Sequence, residues 1–470
     1  MSVKKVLNNV NNNADLLSYM INSDPVLGEI DLPVQGQSIA PIGKLIMSTE
    51  RYKNAFINML NKIGLTVIDR NYWEDPWETF TERGTLNYGQ SVEEVAVDIA
   101  DVFDYNTYVN NATHFLENVV PNVLTYIHDL NFQKFYKTTT SDDQMAMAFT
   151  REDGLFDLIE AIVGSLWEGY KYDKYIVNKY MLCRRILDGT VTSVEIDGYA
   201  SLTARERVTE MKSVSNKMTF RSPNYNPAGL RIATPFADQI MILDTYADAE
   251  ISTEVLATSF FRNDAEFKTR LALIDGFGNH DTARLTEVLG NQYVPFTEAE
   301  LTALNNVAGV IIDREWFQNY NYAFNNDAET ANGTRATEFF NGETLRNNHW
   351  LHVWKVLSTS PFKQAVVFTK DVTPAITSVT VSPATATISA GAEIQMSAAV
   401  VTTGFANKAV AWSVATSTEG ASATITKGGL LKISADTPAE ATFTVTATSI
   451  YDSTKTGTAT ISTPAAPSNS

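Results

Sequence analysis

The 470-residue sequence has few of the features that support disulfide, membrane or secretory roles. Its single cysteine, Cys183, excludes an internal disulfide framework, and the apolar context MLCRRIL predicts a buried structural thiol. No apolar run approaches the roughly 20 residues that a membrane helix needs. The start, MSVKKVLNNVNNNAD, lacks the apolar core of a secretory signal, so we expect synthesis and folding in the cytoplasm.

Basic charge is also scarce, because the formal net charge is −18 and nearly all of it lies on residues 1–371. A surface this acidic repels phosphate, which argues against a basic DNA-binding face. It remains compatible with enclosing DNA, because a wall that repels phosphate lets packed DNA slide. Partners of the chain are therefore expected to be proteins or enclosed nucleic acid without sequence-specific binding, and no membrane is expected.

Catalytic and metal motifs are missing. The sequence has five histidines, and the His349-x-x-His352 pair lies in a β-like stretch where the two rings would point to opposite faces. There is no phosphate loop, no G-x-S-x-G elbow and no H-E-x-x-H. We therefore predict no catalytic residues, no cofactor and no metal.

Two groups of residues could imitate an active site. The run GFGNHD at residues 276–281 lacks the third glycine and the following helix of a dinucleotide loop, so a tight turn is favoured. Two carboxylate groups, Asp275 with Asp281 and Glu74 with Asp75 and Glu78, have the composition used for sugar hydrolysis. With 54 acidic residues, chance pairs are expected, and solvated faces are the favoured interpretation.

What the sequence does contain is a clear β pattern over residues 376–462. Apolar and polar residues alternate, glycines fall at turn spacing, and Trp412 lies mid-strand, where a sandwich core accommodates one large ring. This predicts an immunoglobulin-like β-sandwich at residues 372–463, followed by a disordered tail at 464–470. The Pro-containing segment Val372–Ile376 predicts a hinge, so residues 1–370 and 372–463 should be separable folding units.

Residues 1–370 predict an α+β region. The strongest signal is the apolar i, i+3, i+4 spacing over residues 150–188, which predicts a long helix stopped by Gly189. The other segments are an extended arm at 1–43 with a helix near 14–21, an amphipathic helix at 44–64, β-like runs with an acidic aromatic loop at 65–104, a strand and turn at 190–200, a helix at 201–218 starting at Ser201 or Thr203, alternating strands and helices at 230–312, and strands at 308–320 and 349–369.

Trp73, Trp77 and Phe80 lie in that acidic aromatic loop beside Glu74, Asp75, Pro76 and Glu78. One interpretation is a small local core. The other is a projecting arm that buries the rings against a neighbouring subunit. The three residues are therefore candidate intersubunit contacts.

The order of these parts resembles the major capsid proteins of short-tailed, phi-twenty-nine-like bacteriophages. The matching stretches are IGLTVI, RGTLNYGQSVEEVAVDI, PNVLTYIHDLNFQKFY, RIATPFADQIMILDTYADAEISTEVLATSF, ALIDGF, VIIDREWFQNY and HVWKVLSTSPFKQAVVF. The C-terminal stretch resembles the bacterial Ig-like group 2 family in its V-x-V-S-P-x-x-A-T-I opening, its A-G-x-x-x-Q turn and its V-x-W-S strand. The Asn-rich start and the insertion-like segment at 325–348 depart from the pattern.

The resemblance implies the shell fold shared by tailed phages and herpesviruses. It implies a shell domain at 1–370, with an N-arm at 1–43, an extended loop at about 65–104 that overlaps a neighbour, a spine helix at about 150–188 and an axial domain at about 220–320. It also implies a major capsid protein that forms pentamers and hexamers of an icosahedral or prolate shell around double-stranded DNA, assembled in the host cytoplasm with a scaffolding protein and a portal. The Ig-like module would stand on the surface or bridge subunits, with a host-surface glycan as its expected contact.

Two other classes remain open from the residues. One is an adhesin or cell-wall-binding protein with an Ig-like repeat, which would need a signal peptide. The other is a phage tail or lytic enzyme that uses the sandwich as a binding module, which would need an acid/base site.

Overall fold

The structure is a computed structural model. It describes residues 13–31, 39–56, 73–100, 102, 123–149, 164–255, 270–323, 333–341, 343–344, 346–370 and 372–465. Residues 150–163 of the predicted spine helix, the run LTVI, the start of the predicted N-arm and the end of the tail lie outside these residues.

The N-terminal region contains both helices and strands, as predicted. The helices are α1 Asn13–Ser23, α2 Ala40–Ser48, α3 Glu78–Thr81, α4 Asp142–Ala148, α5 Ser165–Leu187, α6 Ala204–Met218, α7 Thr245–Val255, α8 Thr282–Leu289 and α9 Glu298–Asn305. The strands are β1 Glu82–Leu86, β2 Val92–Val97, β3 Val123–His128, β4 Phe132–Ser141, β5 Thr192–Ile196, β6 Gln239–Asp244, β7 Leu271–Ile274, β8 Val307–Asp313, β9 Asn319–Tyr322, β10 Thr334–Asn341, β11 Arg346–Val356 and β12 Ala365–Lys370.

The predicted helix at 44–64 is wrong in its bounds. Helix α2 begins earlier, with Pro41 in its first turn, and ends at Ser48 because Thr49 is extended (φ −114°, ψ 112°). The Thr49 carbonyl accepts a hydrogen bond from the Lys53 amide (2.9 Å), so a new helical segment begins there and covers residues 50–56. Phe56 from this segment packs on Phe149 in a small N-terminal core.

Two mixed sheets form the main body. The first has the order β1-β9-β11-β10, with β4 also paired antiparallel to β11. The second has the order β5-β12-β8-β6-β7. The outer strand of this sheet, β5, pairs in parallel with β12. Both strands lie outside the axial domain expected at about 220–320, so the sheet is assembled from segments far apart in the chain.

The long helix α5 packs against both sheets, and it ends where the sequence predicts. Gly189 takes a positive φ of 68°, and its amide bonds to the Ile186 carbonyl. Helix α6 begins after Thr203, whose hydroxyl and Glu206 form a reciprocal capping box, which confirms the second of the two predicted starts. Cys183 is fully buried on α5, and burial raises the pKa of its thiol to about 12, as expected of a structural cysteine.

Residues 372–463, here called the C-terminal β-unit, contain strands only. They are β13 Ala375–Ser382, β14 Thr385–Thr387, β15 Glu393–Gln395, β16 Ser397–Thr403, β17 Val410–Thr416, β18 Ala423–Ile425, β19 Leu430–Ile433, β20 Thr442–Ser449 and β21 Thr456–Ser462. The fully buried ring of its core is Phe443. Trp412 lies mid-strand in β17 as expected, but it is only half-buried and packs at the edge of this core.

The β-unit contacts the main body despite the predicted hinge. Asn407, buried between β16 and β17, donates to the Thr192 hydroxyl (3.2 Å), and the Lys408 amide donates to the Gly189 carbonyl (3.3 Å). Phe405 packs against the main core. A loop distant from the hinge therefore forms this contact, and the separability of the two units stays a prediction.

Candidate assembly surfaces

The segment that begins at Trp73 packs on helix α5. Trp77 is fully buried, its indole nitrogen donates to the Leu273 carbonyl (3.0 Å), and its ring meets Tyr175 edge-on at 5.3 Å. Phe80 lies 6.1 Å from Phe317 in the same core. The expectation that Trp77 and Phe80 need a neighbouring subunit is wrong, because distant parts of the same chain supply their core.

Trp73 differs from the other two rings because it stays 44% exposed. It lies edge-on to Tyr175 at 5.5 Å and to Tyr172 at 6.4 Å. Of the three aromatic candidates, Trp73 therefore retains an outward surface, and a role in subunit contact remains a prediction for this residue.

A buried ion cluster lies beside these rings. The ammonium group of Lys174, buried on α5, lies 3.5 Å from Asp75, 3.3 Å from Glu78 and 3.2 Å from Glu82. Lys355 of β11 adds a second cation 2.7 Å from Glu82. The cluster joins α3 and β1 to helix α5 and to strand β11, so it fixes the base of the segment that leads into β2.

The pKa shifts follow from this arrangement. Burial raises the pKa of Asp75, whereas for Glu82 the two lysines outweigh burial and lower the pKa. The pKa of Lys174 is raised because neighbouring acidic groups outweigh its burial. The expectation of a solvated carboxylate face is therefore wrong for Asp75, which is buried and paired.

The second carboxylate pair, Asp275 and Asp281, is exposed, as expected of a solvated face, and both carboxylates accept hydrogen bonds within the chain. Asp275 accepts hydrogen bonds from Lys179 (2.5 Å) and Tyr175 (3.1 Å). Asp281 caps helix α8, and its side chain accepts from the Arg284 amide (3.0 Å). A tight turn at GFGNHD was predicted and is present, but the expectation that no helix follows is wrong.

The histidine pair on β11 has the predicted geometry. The His349 ring is buried and contacts the Thr140 hydroxyl (2.8 Å), while His352 contacts Thr337 (2.9 Å) on the other face of the sheet. Among the described residues no three His, Cys, Asp or Glu side chains group together as a metal site would require. The helices described here include none with the length and apolarity to span a bilayer.

Strands β2 and β3 form a two-stranded antiparallel ribbon, called the ribbon below. Its inner face is fixed to the chain, because Glu94 accepts from Ser360 (2.7 Å) and pairs with His128 (3.1 Å), which also contacts Ser358 (2.8 Å). The return strand at 123–128 lies beyond the predicted bounds of 65–104, since pairing between distant strands cannot be seen in local alternation.

The outer face of the ribbon is largely apolar and, in the part of the chain that the structure describes, its side chains are exposed. Cross-strand pairs place Val97 opposite Val123, Val95 opposite Thr125 and Glu93 opposite Ile127. Val95 and Val97 are each 54% exposed and Ile127 is 57% exposed. An exposed apolar patch of this kind is typical of a protein–protein contact surface.

Comparison with known proteins gives the class of the chain. The family model described as Phi29-like phage major capsid protein matches residues 32–369. The major capsid protein of Bacillus phage PZA is 28% identical over 403 residues, which cover 84% of this chain and 81% of that protein. The major capsid protein of Bacillus phage GA-1 is 26% identical over 396 residues, 83% of this chain and 76% of that protein.

Solved capsids are similar at lower identity. The capsid structure of Staphylococcus phage Andhra is 14% identical with a TM-score of 0.43, covering 64% of this chain and 86% of that chain. The family match spans well over half of the sequence, and the class of protein it defines is a structural protein of a phage capsid. The chain belongs to the Phi29-like phage major capsid protein family. It acts as a major capsid protein of a tailed phage that self-assembles into the capsid, and proteins of this family are not known to be enzymes.

Proposed function

We propose that the ribbon is the arm by which one subunit overlaps the next in the shell. The supporting observation is its division into two faces. The inner face is held by Glu94, His128 and Ser360, whereas the outer face exposes Val95, Val97, Val123 and Ile127. Because the inner contacts fix the ribbon to its own chain, the outer face is left for another molecule. A repeated contact of one patch with a different patch closes rings of subunits.

The test is a Val95→Ser/Val97→Ser double variant. Neither valine contributes to the described cores, so thermal melting should match that of the wild type. Sedimentation should show a loss of shells of about tenfold or more. A loss of about 1.4 kcal/mol of association free energy already lowers an association constant tenfold. Val401→Ser is the matched control, since Val401 is a 55% exposed strand valine in the C-terminal β-unit. Wild-type shell yield from the double variant would refute the proposal.

The remaining family features are also proposals for this chain. They are pentamers and hexamers, an icosahedral or prolate shell around double-stranded DNA, and assembly in the host cytoplasm with a scaffolding protein and a portal. The family match over residues 32–369 supports them. Expression of the chain alone tests the need for scaffolding: uniform closed shells in electron micrographs would argue against it.

For the C-terminal β-unit we propose a bacterial Ig-like group 2 module on the outside of the shell, either exposed or bridging subunits, with a host-surface glycan as its ligand. Its strand-only fold and its polar, threonine-rich strands support this. Labelling intact shells with an antibody against residues 372–465 tests its position, and a glycan array probed with shells tests the ligand. Failure of the antibody to bind intact shells would place the unit elsewhere.

A further inference from the structure

The ribbon is attached to the rest of the chain near both of its ends. At the end that leads into β4, the buried ring of His128 is hydrogen-bonded to Ser358 of the main body (2.8 Å). At the opposite end, Val97 is followed by Asp98, whose side chain is only 5% exposed. Strand β2 has six residues and is therefore roughly 20 Å long. Two attachment points at this separation define the direction of the ribbon as well as its position.

Asp98 is bound by cations from two separate parts of the chain. Arg231 of the main body donates from its amide and its guanidinium to the two carboxylate oxygens, both at 3.1 Å. Lys427 of the C-terminal β-unit forms an ion pair with the same carboxylate. A buried carboxylate without a partner is costly, so these cations determine where the end of β2 lies. Asp98, Arg231 and Lys427 are called the brace.

The β-unit and the main body are closely packed beside the brace. Gly229, two residues before Arg231, takes a positive φ of 63°, and a Cβ atom there would lie only 2.6 Å from the Ile450 side chain of the β-unit. On the ribbon side, a Cβ atom on Gly428 of the β-unit would lie 4.0 Å from Leu124 of β3. The ribbon, the main body and the β-unit therefore meet at one junction, and the β-unit supplies one of its three sides.

We propose that the brace positions the ribbon for contact with the next subunit, so that the C-terminal β-unit takes part in shell assembly through Lys427. The inference rests on the proposed role of the ribbon as the arm between subunits. A ribbon attached only near His128 can pivot about that point, whereas a second attachment at Asp98 holds it in one direction. The contact between subunits repeats around every ring, so a variable direction would prevent the rings from closing uniformly.

The brace is suited to positioning rather than to global stability. The side chain of Lys427 is 39% exposed and that of Arg231 is 49% exposed. Ion pairs of solvent-exposed side chains contribute little to the free energy of unfolding, whereas their geometry still orients the groups that they join. All three residues of the brace lie outside the hydrophobic cores described above. Loss of the brace should therefore change shell geometry and leave the melting temperature nearly unchanged.

Charge reversal at Lys427 in the full chain tests the proposal. Lys427→Glu replaces the ion pair with a like-charge contact at a buried carboxylate, so the yield of closed shells of wild-type diameter should fall about tenfold. Lys432→Glu is the matched control, because it makes the same charge change in β19 of the same unit, where Lys432 pairs with exposed Glu393. Lys427→Arg keeps the cation and should assemble like the wild type. Electron micrographs give the shell diameters, and thermal melting shows that each variant is folded.

A chemical tether provides a second readout within one protein. Asp98→Cys/Lys427→Cys removes the ion pair and leaves two thiols that a short bismaleimide can join within one chain, while Cys183 is buried. Before treatment the yield of shells of wild-type diameter should be low. After the thiols are joined, as verified by mass spectrometry, the yield should recover. A tethered chain that still fails to form such shells would overturn the proposal, because the attachment would then be restored without effect.

The outcomes separate the brace from the role of the ribbon. Wild-type shells from Lys427→Glu, while Val95→Ser/Val97→Ser fails to assemble, would overturn the brace and leave the ribbon as the arm. Wild-type shells from both variants would refute both proposals. Equal losses from Lys427→Glu and Lys432→Glu would assign the effect to the charge of the β-unit and would also overturn the brace. If Lys427→Glu lowers the melting temperature, the tether experiment decides.

Discussion

Lys427, in the turn between β18 and β19 of the C-terminal β-unit, forms an ion pair with Asp98 at the end of β2. Arg231 binds the same carboxylate, through its amide to Oδ1 and its guanidinium to Oδ2, both at 3.1 Å. Gly428 lies beside Leu124 on the inner face of the ribbon. The β-unit is anchored at Gly189 and Thr192, so it braces the ribbon against the main body.

Lys427→Ala should therefore loosen the ribbon without unfolding the chain. The expected result is about tenfold faster hydrogen exchange in the amides of β2 and β3, because local opening sets their exchange rate. Hydrogen-exchange mass spectrometry of the full chain measures this. Lys432→Ala is the control, since Lys432 pairs with exposed Glu393 on the same unit and does not contact the ribbon. Equal exchange in the two variants would contradict the brace.

Trp73 and Trp77 should respond differently to truncation. Trp77→Ala should destabilise the chain by about 3–5 kcal/mol, the cost of deleting a buried aromatic side chain. Trp73→Ala should change stability by less than about 1.5 kcal/mol, the scale of an edge-on aromatic contact, and any larger effect should appear in shell yield. Chemical denaturation gives the first quantity and sedimentation the second. Similar losses of stability in both variants would show that Trp73 is also a core residue.

Local signals located the elements whose ends are encoded nearby. Helix α6 begins where the Thr203 and Glu206 capping box predicts, and α5 ends where Gly189 predicts. The family was recognised because the order of many weak motifs adds up over most of the chain.

The missed features depend on contacts between distant residues. In the sequence Trp77 and Asp75 lie in a polar segment, but helix α5, about a hundred residues later, covers both. The outer face of the first sheet lies partly on β10, within the segment that resembles an insertion. Its aromatic character emerges only when β4, β10 and β11 are brought into register.

Removing the lysine at the centre of the buried ion cluster should be costly. Lys174→Met keeps the length of the side chain but leaves Asp75 and Glu82 without their shared cation, so we expect a loss of about 3–5 kcal/mol. Urea denaturation at neutral pH measures it. Lys171→Met, one turn away on the same helix and less buried, should stay within about 0.5 kcal/mol of the wild type. A neutral result for Lys174→Met would mean that the cluster is solvated.

In the C-terminal β-unit, Phe443 should matter more than Trp412. Phe443→Ala removes the fully buried ring and should cost about 3–5 kcal/mol, whereas Trp412→Ala removes a half-buried ring and should cost less. Residues 372–465 expressed alone should retain a β-sheet circular dichroism spectrum, and thermal melting of that fragment ranks the two variants. A random-coil spectrum of the wild-type fragment would refute its independence, and a larger loss from Trp412→Ala would place Trp412 at the centre of the core.

Acid should weaken the chain through His349. Burial lowers the pKa of this histidine to about 4, below the ordinary value of 6.5, so the unfolded chain binds a proton that the folded chain excludes. The contribution of His349 to the free energy of unfolding is therefore fully present above pH 6.5. It is lost as the pH falls toward 4, by up to about 3 kcal/mol. His349→Gln keeps a hydrogen-bonding group near Thr140 but cannot titrate, so its melting temperature should fall less steeply than that of the wild type across this range. Measured at equal ionic strength, parallel pH profiles for the two proteins would show that His349 does not carry the acid sensitivity.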